Sequence, residues 1–333
     1  MRYKIRDLLL AVVLGLIVPV IICSVFAGNT DKVESVTESA SIGFVQKPIV
    51  TTKIEKDLQN QVDMIPVLLD DGTILDMILD DYLTSVILCE MPTSFDLEAL
   101  KAQAVVARTY VLRQNSVRNK HNNAAVCVKS SCCQGYRDVD SYLEVGGNAQ
   151  DLQKVRQAVT ETQNFVLMYD GELIDATYFS CSGGKTEDAV SVWGSDIPYL
   201  QSVDSPGEEI SAVFVNTVTL TKERFSEQLQ LDDAYVNGDS IGKITYTEGG
   251  GVDSIVICGR SYKGTQIRSL LGLRSTAFVI SVVGDTVSVT TKGYGHRVGM
   301  SQYGAEAMAR QGSRYDEILL HYYRGANLMN WMS

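Results

Sequence analysis

Residues 82–114 read YLTSVILCEMPTSFDLEALKAQAVVARTYVLRQ, and this stretch decides the fold because it holds two apolar helices separated by a proline. In the second helix, predicted over Asp96 to Gln114, apolar residues recur every three or four positions, which is typical of one buried helix face. The first helix is predicted to end at Glu90, because Pro92 disfavours helical backbone at the residue before it. The residues on the buried face of the second helix are Leu97, Leu100, Ala104, Ala107 and Val111.

Around these helices, the sequence alternates between hairpins and further helices. Strand patterns flank the turns at Gly72, Asp170-Gly171 and Gly284-Asp285, which predicts hairpins over 67–75, 165–179 and 278–291. Further helices are predicted around residues 152–159, over Gln302 to Arg310 with Ser301 as the N-cap, and over Asp316 to Tyr323. This mixture predicts an α+β fold of hairpins and separate helices.

The N-terminal segment has the pattern of a membrane anchor. Arg2, Lys4 and Arg6 precede Leu8–Ala27, a run of twenty residues with no charge, which is long enough to span a bilayer of about 30 Å. The basic flank places residues 1–7 in the cytoplasm and the rest of the chain outside. We expect an anchor over residues 8–27, a polar stalk over 28–60 and a folded extracytoplasmic domain over 61–333. A cleaved signal peptide ending near Ala27 is the alternative.

The charge and cysteine content narrow the function further. The chain has 333 residues and a net charge of -11, so binding to nucleic acid is disfavoured. Cys127, Cys132 and Cys133 form a cluster that could hold a disulfide or a zinc ion. Two thiolates supply only half of a tetrahedral zinc site, so His121 or a distant residue would have to complete it.

Several polar residues are candidates for chemistry. Glu90 stands among apolar residues at the end of a helix, where partial burial would raise its pKa toward that of a general acid; a capping or salt-bridged surface Glu is the alternative. Lys101 and Arg108 align on the next helix and could face the same cleft, or simply line a solvated helix flank.

Two glycine-containing loops offer polar contacts for a substrate. The loop at Gly293–Gly299 has three residues between its second and third glycines, where a dinucleotide fingerprint needs two, so we reject that function. A cysteine or serine hydrolase using Cys181 or Ser301 lacks a recognisable local motif. The side chains or loop positions that could contact carbohydrate are Ser182, Gly183, Glu187, His296, Gln302 and Tyr303.

Together, four segments resemble the stage II sporulation protein D family, which also contains the amidase-enhancer proteins. The resemblance covers roughly residues 65–328 and rests on Tyr82–Tyr110, Ser180–Glu187, Val192–Leu200 and Gly295–Gly304. The sequence departs from the family pattern at Arg297, where the family has glycine, and a larger side chain there could change access to the cleft.

The resemblance implies a lytic transglycosylase that cleaves the MurNAc–GlcNAc bond of peptidoglycan, preferably of strands without stem peptides, and forms 1,6-anhydroMurNAc. It implies septal wall remodelling and engulfment during sporulation, in a membrane-anchored protein of the septum and engulfing membrane. It assigns Glu90 as the catalytic acid and base, and Lys101 and Arg108 as substrate ligands. A noncatalytic wall-binding enhancer of an amidase, or a hydrolytic muramidase, are the alternatives.

The resemblance also bears on cofactors and partners. The chemistry requires no cofactor, but some members carry zinc through a Cys-x4-His pair that corresponds here to Cys127 and Cys132, with Cys in place of His. A structural zinc is therefore possible, and a disulfide stays open. The implied partners are a sporulation amidase (stage II protein P), a membrane scaffold (stage II protein M) and peptidoglycan itself.

Overall fold

The computed structural model describes residues 64–117, 120–231 and 236–331. The predicted anchor and stalk lie outside these residues. No helix within the described ranges has both the length and the apolar character needed to cross a bilayer. The α+β class predicted from the sequence is confirmed, since helices and short sheets share the described chain.

Two consecutive helices form the centre of the first hydrophobic core. Helix α2 packs against most of the other elements of this core. Its predicted buried face is confirmed, since Leu100, Ala104, Ala107 and Val111 are fully buried. The amide of Met91 closes the end of α1 by donating to the carbonyl of Ile87. The first elements, in order, are β1 (Met64–Leu68), β2 (Ile74–Ile78), α1 (Leu79–Glu90), α2 (Leu97–Val117) and β3 (Val126–Cys127).

The chain continues through small helices and strands that complete one side of this core. Strand β4 pairs with β5 around the predicted turn, but the predicted strand 173–179 is divided in two. The backbone between the two pieces turns out of the first sheet, and Tyr178–Phe179 joins a different one. These elements are α3 (Val139–Glu144), α4 (Ala149–Glu161), β4 (Phe165–Tyr169), β5 (Glu172–Leu173), β6 (Tyr178–Phe179) and α5 (Ala189–Trp193).

A second hydrophobic core is built entirely from residues between 215 and 292. Two three-stranded sheets and two short helices enclose apolar side chains such as Phe225, Ile255 and Val287. The predicted hairpin at Gly284-Asp285 is confirmed by the pairing of Phe278 with Thr291. The elements are β7 (Val215–Thr221), α6 (Lys222–Leu229), β8 (Ile241–Tyr246), β9 (Val252–Ile257), β10 (Arg260–Lys263), α7 (Gly264–Leu270), β11 (Phe278–Val283) and β12 (Thr286–Lys292).

After this second core, the chain returns to the first. Strand β13 (Met300–Ser301) pairs in parallel with β6, and β14 (Asn327–Asn330) pairs antiparallel with β4. Helix α8 (Gln302–Arg310) begins at the predicted cap, since Ser301 Oγ accepts from the Gly304 amide at 3.2 Å. Helix α9 (Tyr315–Tyr322) packs beside it. The short parallel pair is what brings residues near 178 and near 302 to the same place.

Candidate active site

Glu90 is the last residue of α1, and its carboxylate is held by a backbone amide from a distant loop. The Gly135 amide donates to Glu90 Oε1 at 2.5 Å. This approach needs a glycine, because a Cβ at position 135 would lie 2.9 Å from both Glu90 Oε1 and Cys89 Sγ. The side chain is half-buried, and burial raises the pKa of Glu90 although the Gly135 amide opposes the shift.

A group of buried polar side chains surrounds this carboxyl. Tyr178 and Gln302 face it closely enough to favour its ionised form, although neither Tyr178 Oη nor Gln302 Nε2 reaches full hydrogen-bond geometry with any group of the described chain. Gln134 accepts from Tyr82 Oη at 3.2 Å, while its own Nε2 also lacks a partner in the described residues. Burial raises the pKa of Tyr178 well above its usual value, so this phenol stays a donor. Unpartnered buried donors are costly, which suits a site that a polar ligand completes.

The parallel pairing of β6 with β13 positions two of these groups. Tyr178 lies opposite Met300, and Gln302 follows as the first residue of α8. The ring of Tyr303 packs edge-on against Phe95 with ring centres 5.0 Å apart. Of the predicted contacts, Gln302 is therefore beside Glu90, and Tyr303 supports the neighbouring wall of the site.

His296 reaches the same region from the glycine-containing loop. Its ring packs between Phe179 and Trp193, with ring centres 5.5 and 5.4 Å away. Burial lowers the pKa of His296 to about 4, and the positive charge of Arg268 adds to this shift. Since Nδ1 accepts from the Val298 amide at 3.1 Å, the imidazole is neutral and carries its proton on Nε2. The structure thus offers a neutral aromatic and polar contact here rather than a charged base.

Ser182 and Gly183 are engaged with a buried carboxylate of the protein itself. Glu208 Oε2 accepts from both backbone amides, at 2.7 and 2.9 Å, and Oε1 accepts from Ser182 Oγ at 2.8 Å. Ser205 Oγ donates to the same carboxylate at 2.6 Å. These bonds shape the loop next to Tyr178, and direct contact of Ser182 or Gly183 with substrate stays a prediction.

Glu187 and Arg297 form a buried ion pair between the two hydrophobic cores. Arg297 Nη1 lies 3.1 Å from Glu187 Oε1, and both side chains are at most 2% exposed. Arg297 also donates to the carbonyls of Ser182 and Gly249, at 2.7 Å each, so it ties the loop after β8 to the first core. Burial raises the pKa of Glu187, although Arg297 opposes the shift.

The backbone at Arg297 explains the glycine that the family pattern has there. Its φ of 68° is in the left-handed region, which favours glycine. The Arg297 side chain is 2% exposed and bonded within the protein, whereas the sequence suggested that it could change access to the cleft.

Lys101 and Arg108 do not lie beside Glu90. Arg108 is buried and donates to the carbonyls of Thr162 and Val159 at 2.8 and 3.1 Å, at the end of α4. Its other contact, Asp80, is in the first turn of α1, whereas Glu90 ends that helix about 15 Å further along.

Lys101 is paired with two carboxylates. Its Nζ lies 2.7 Å from Glu98 and 2.6 Å from Glu161. Both cations therefore have protein partners in the structure, and their role as substrate ligands stays a prediction.

The predicted metal pair Cys127 and Cys132 belongs to a larger cluster. The ligand atoms of His121, Cys127, Cys132 and Cys133 all lie within 4.8 Å of one another. All six cysteines of the described chain are free. One imidazole and three thiols form a closed tetrahedral set of the kind that structural zinc prefers, so these donors fit zinc. Gln134 and Gly135 follow Cys133 directly, which places the cluster next to the residues that contact Glu90.

The sequence alone missed the residues that approach Glu90 from other elements. Gly135 and Gln134 carry no local motif, and only their place after the paired cysteines could have drawn attention to them. Tyr178 precedes the Ser180–Glu187 segment, and the sequence predicts only that it lies near the end of the strand 173–179. Cys133 belongs to the predicted cysteine cluster, but the resemblance assigns the metal pair to Cys127 and Cys132 alone.

Known proteins are similar to this chain over most of its length. A family model described as stage II sporulation protein matches residues 71–169. Stage II sporulation protein D of Bacillus amyloliquefaciens is 41% identical over 256 residues, which cover 75% of this chain and 74% of that protein. The Bacillus subtilis (strain 168) protein of the same name is 37% identical over 321 residues, which cover 94% of this chain and 92% of that protein.

A protein of a second kind is also similar. The amidase enhancer of Bacillus subtilis (strain 168) is 29% identical over 302 residues, covering 75% of this chain and 40% of the enhancer. The two stage II sporulation D proteins are more similar, at 41% and 37% identity, and the chain belongs to the stage II sporulation protein D family.

Proposed function

We propose that this protein is a peptidoglycan lytic transglycosylase in which Glu90 is the general acid and base. The observation that carries the proposal is the half-buried Glu90 carboxyl with its raised pKa, facing buried donors that lack partners in the described chain. A raised pKa keeps a larger fraction of the carboxyl protonated near neutral pH, as an acid catalyst requires.

In the proposed reaction, one carboxyl serves both proton transfers. Glu90 donates its proton to the glycosidic oxygen, the bond from that oxygen to MurNAc C1 breaks, and GlcNAc leaves while positive charge develops at C1. The resulting carboxylate takes the proton of the MurNAc 6-hydroxyl, whose oxygen bonds to C1 and closes the 1,6-anhydro ring. Because the nucleophile belongs to the substrate, no second catalytic carboxylate is needed.

The neighbouring donors have distinct parts in this scheme. The Gly135 amide holds one carboxylate oxygen in place, so the proton is delivered from the other. Tyr178 and Gln302 would donate to sugar oxygens or to the ionised carboxylate that forms after the first transfer. Such donors act most strongly in a site shielded from water.

We propose that a structural zinc is held by His121, Cys127, Cys132 and Cys133. When bound, it would cross-link strand β3 to the turn that carries Gln134 and Gly135, and take no direct part in the chemistry. Metal analysis of the purified chain should give about one zinc per chain, and Cys132→Ser should lower both the zinc content and the thermal stability. A metal-free chain with free thiols and wild-type stability would contradict this.

The cellular setting is proposed from the family and from the sequence. The relatives' names support a role in sporulation, and Leu8–Ala27 supports anchoring in the membrane with the catalytic domain outside. Septal wall remodelling and engulfment, with stage II protein P as the amidase and stage II protein M as the scaffold, complete the proposal.

The test is mass spectrometry of products from glycan strands freed of stem peptides. Full-length protein in detergent should release anhydroMurNAc ends, and Glu90→Gln should release none. The matched control is Glu223→Gln, which removes an exposed carboxyl from helix α6 and should cleave glycan at the wild-type rate. Reducing MurNAc ends would instead indicate hydrolysis, and cleavage by Glu90→Gln at the wild-type rate would refute the role of Glu90.

A wall-binding enhancer is the second candidate, because the amidase enhancer of Bacillus subtilis aligns with 75% of this chain. An enhancer would bind glycan without cleaving it and would accelerate a purified amidase. This acceleration should be unchanged in Glu90→Gln, which separates the two functions.

A further inference from the structure

A polar pocket of about 600 Å³ lies where the second core meets the loop that carries His296. Arg268 and Arg274 contribute two guanidinium groups, and Tyr294 contributes an exposed ring. Thr265 and Ser269 add hydroxyl groups to the lining. The pocket is thus rich in hydrogen-bond donors, two of them permanently charged.

Within the described ranges, the two guanidiniums have no anionic partner. Among the described residues, no carboxylate lies within 4.0 Å of Arg268 or Arg274, although acidic residues outnumber basic ones by 40 to 29 in the chain. Arg268 Nε donates to the Leu273 carbonyl at 3.4 Å, and the Arg274 guanidinium lies 5.4 Å from the centre of the Tyr294 ring. Two half-buried like charges in one pocket are unfavourable unless an anion joins them.

Backbone hydrogen bonds connect this pocket to the site around Glu90. The Gly295 amide donates to the Arg274 carbonyl at 3.0 Å, and Tyr294 exchanges two hydrogen bonds with Cys181, at 2.7 and 3.1 Å. His296 directly follows Gly295 in the chain. His296 links the two places, because the charge of Arg268 acts on its ring and the exposed ring of Trp193 packs against it.

We propose that this pocket binds the lactyl carboxylate of a MurNAc unit in the strand that Glu90 cleaves, an inference that rests on the proposed function. MurNAc differs from GlcNAc by a lactyl ether, whose carboxyl is a free anion when no stem peptide is attached and an uncharged amide when one is. Guanidiniums bind carboxylates through two parallel hydrogen bonds, which an amide cannot match. The pocket would thereby select strands whose peptides have been removed.

The test measures binding in a Glu90→Gln background, so that the result does not depend on cleavage. The probes are fluorescent glycan strands with free lactyl carboxylates, the same strands with these groups converted to methylamides, and strands with intact stem peptides. Full-length Glu90→Gln protein should bind the free-carboxylate strands at least about tenfold more tightly than the methylamide strands. Replacing both arginines by glutamine should abolish this difference and leave methylamide binding unchanged.

Controls separate the pocket from general charge effects. Arg224→Gln removes one exposed positive charge from helix α6 and should leave the preference intact. Equal binding of free-carboxylate and methylamide strands by the Glu90→Gln protein would overturn the proposal, whether or not the wild type cleaves glycan. An arginine-dependent preference for peptide-bearing strands would overturn it as well, since the pocket would then take a stem-peptide carboxylate.

Discussion

Replacing Gly135 by alanine tests whether the position of the Glu90 carboxylate controls activity. The backbone at Gly135 is outside the left-handed region, so alanine is allowed there, but its Cβ would lie 2.9 Å from Glu90 Oε1. Ordinary van der Waals contact between a Cβ and another heavy atom begins near 3.4 Å. The carboxylate must therefore retreat by about 0.5 Å and loosen its hydrogen bond to the Gly135 amide.

The expected effect is large on activity and small on stability. A displacement of about 1 Å can cost a hundredfold in rate, so a retreat of half that size should lower kcat about tenfold. The atoms in the way are the ends of two side chains, Glu90 and Cys89, which can move, so the free energy of unfolding should change by no more than about 1 kcal/mol. Because the Gly135 hydrogen bond lowers the pKa of Glu90, weakening it should shift the alkaline limb of the pH–rate profile to higher pH.

The assay combines release of anhydroMurNAc ends between pH 5 and 9 with urea unfolding of the same protein. Gly238→Ala is the matched control, because a Cβ there would meet nothing within 4 Å, and both its activity and its stability should stay near wild type. If Gly135→Ala cleaved glycan at the wild-type rate with an unshifted pH profile, the close contact between Gly135 and Glu90 would have no catalytic meaning.

Three further predictions follow from buried charges. Burial raises the pKa of Glu90, so the stability that its protonated form contributes is present at low pH and lost as pH rises through that raised pKa. Calorimetry should therefore show that Glu90→Gln raises Tm at pH 8 and leaves it unchanged near pH 4. Arg297→Ala should lower the free energy of urea unfolding by about 3–5 kcal/mol by leaving Glu187 unpaired, and adding Glu187→Gln should recover part of it, whereas a smaller loss without recovery would contradict the pairing. Arg108→Lys should cost about 1–3 kcal/mol in the same measurement and leave KM for glycan unchanged, whereas a raised KM at unchanged stability would restore its predicted role as a substrate ligand.

Local patterns predicted most of the fold. The helix predicted over Asp96 to Gln114 is observed as Leu97–Val117, and its burial extends beyond the predicted apolar face to polar residues such as Gln103 and Thr109. The hairpin at Gly284-Asp285 and the Ser301 cap were equally visible, since turn and cap residues act within a few positions of themselves. The division of the predicted strand 173–179 was not visible, because Tyr178–Phe179 pairs with a strand more than a hundred residues away.

Some residues of the candidate site were likewise predictable from the sequence and others were not. Glu90 was predicted from its apolar neighbours and from the family resemblance, and its local environment raises its pKa as expected. Gly135 and Tyr178 contact it only through the fold, so no spacing in the sequence could reveal them. For Arg108, the helix position was predictable but its partner was not. The sequence gives no sign that its guanidinium donates to a carbonyl at the end of α4.

The parallel pairing of β6 with β13 has a consequence for how the protein matures. Glu90 is made long before Gln302, and the two meet only once the chain has returned to pair beside Tyr178. Contacts between such distant residues form late, because a long loop must close first. A nascent chain therefore carries an incomplete Glu90 site until residue 302 has been made. Under the proposed function, chains that end before residue 302 should release no anhydroMurNAc ends from glycan strands.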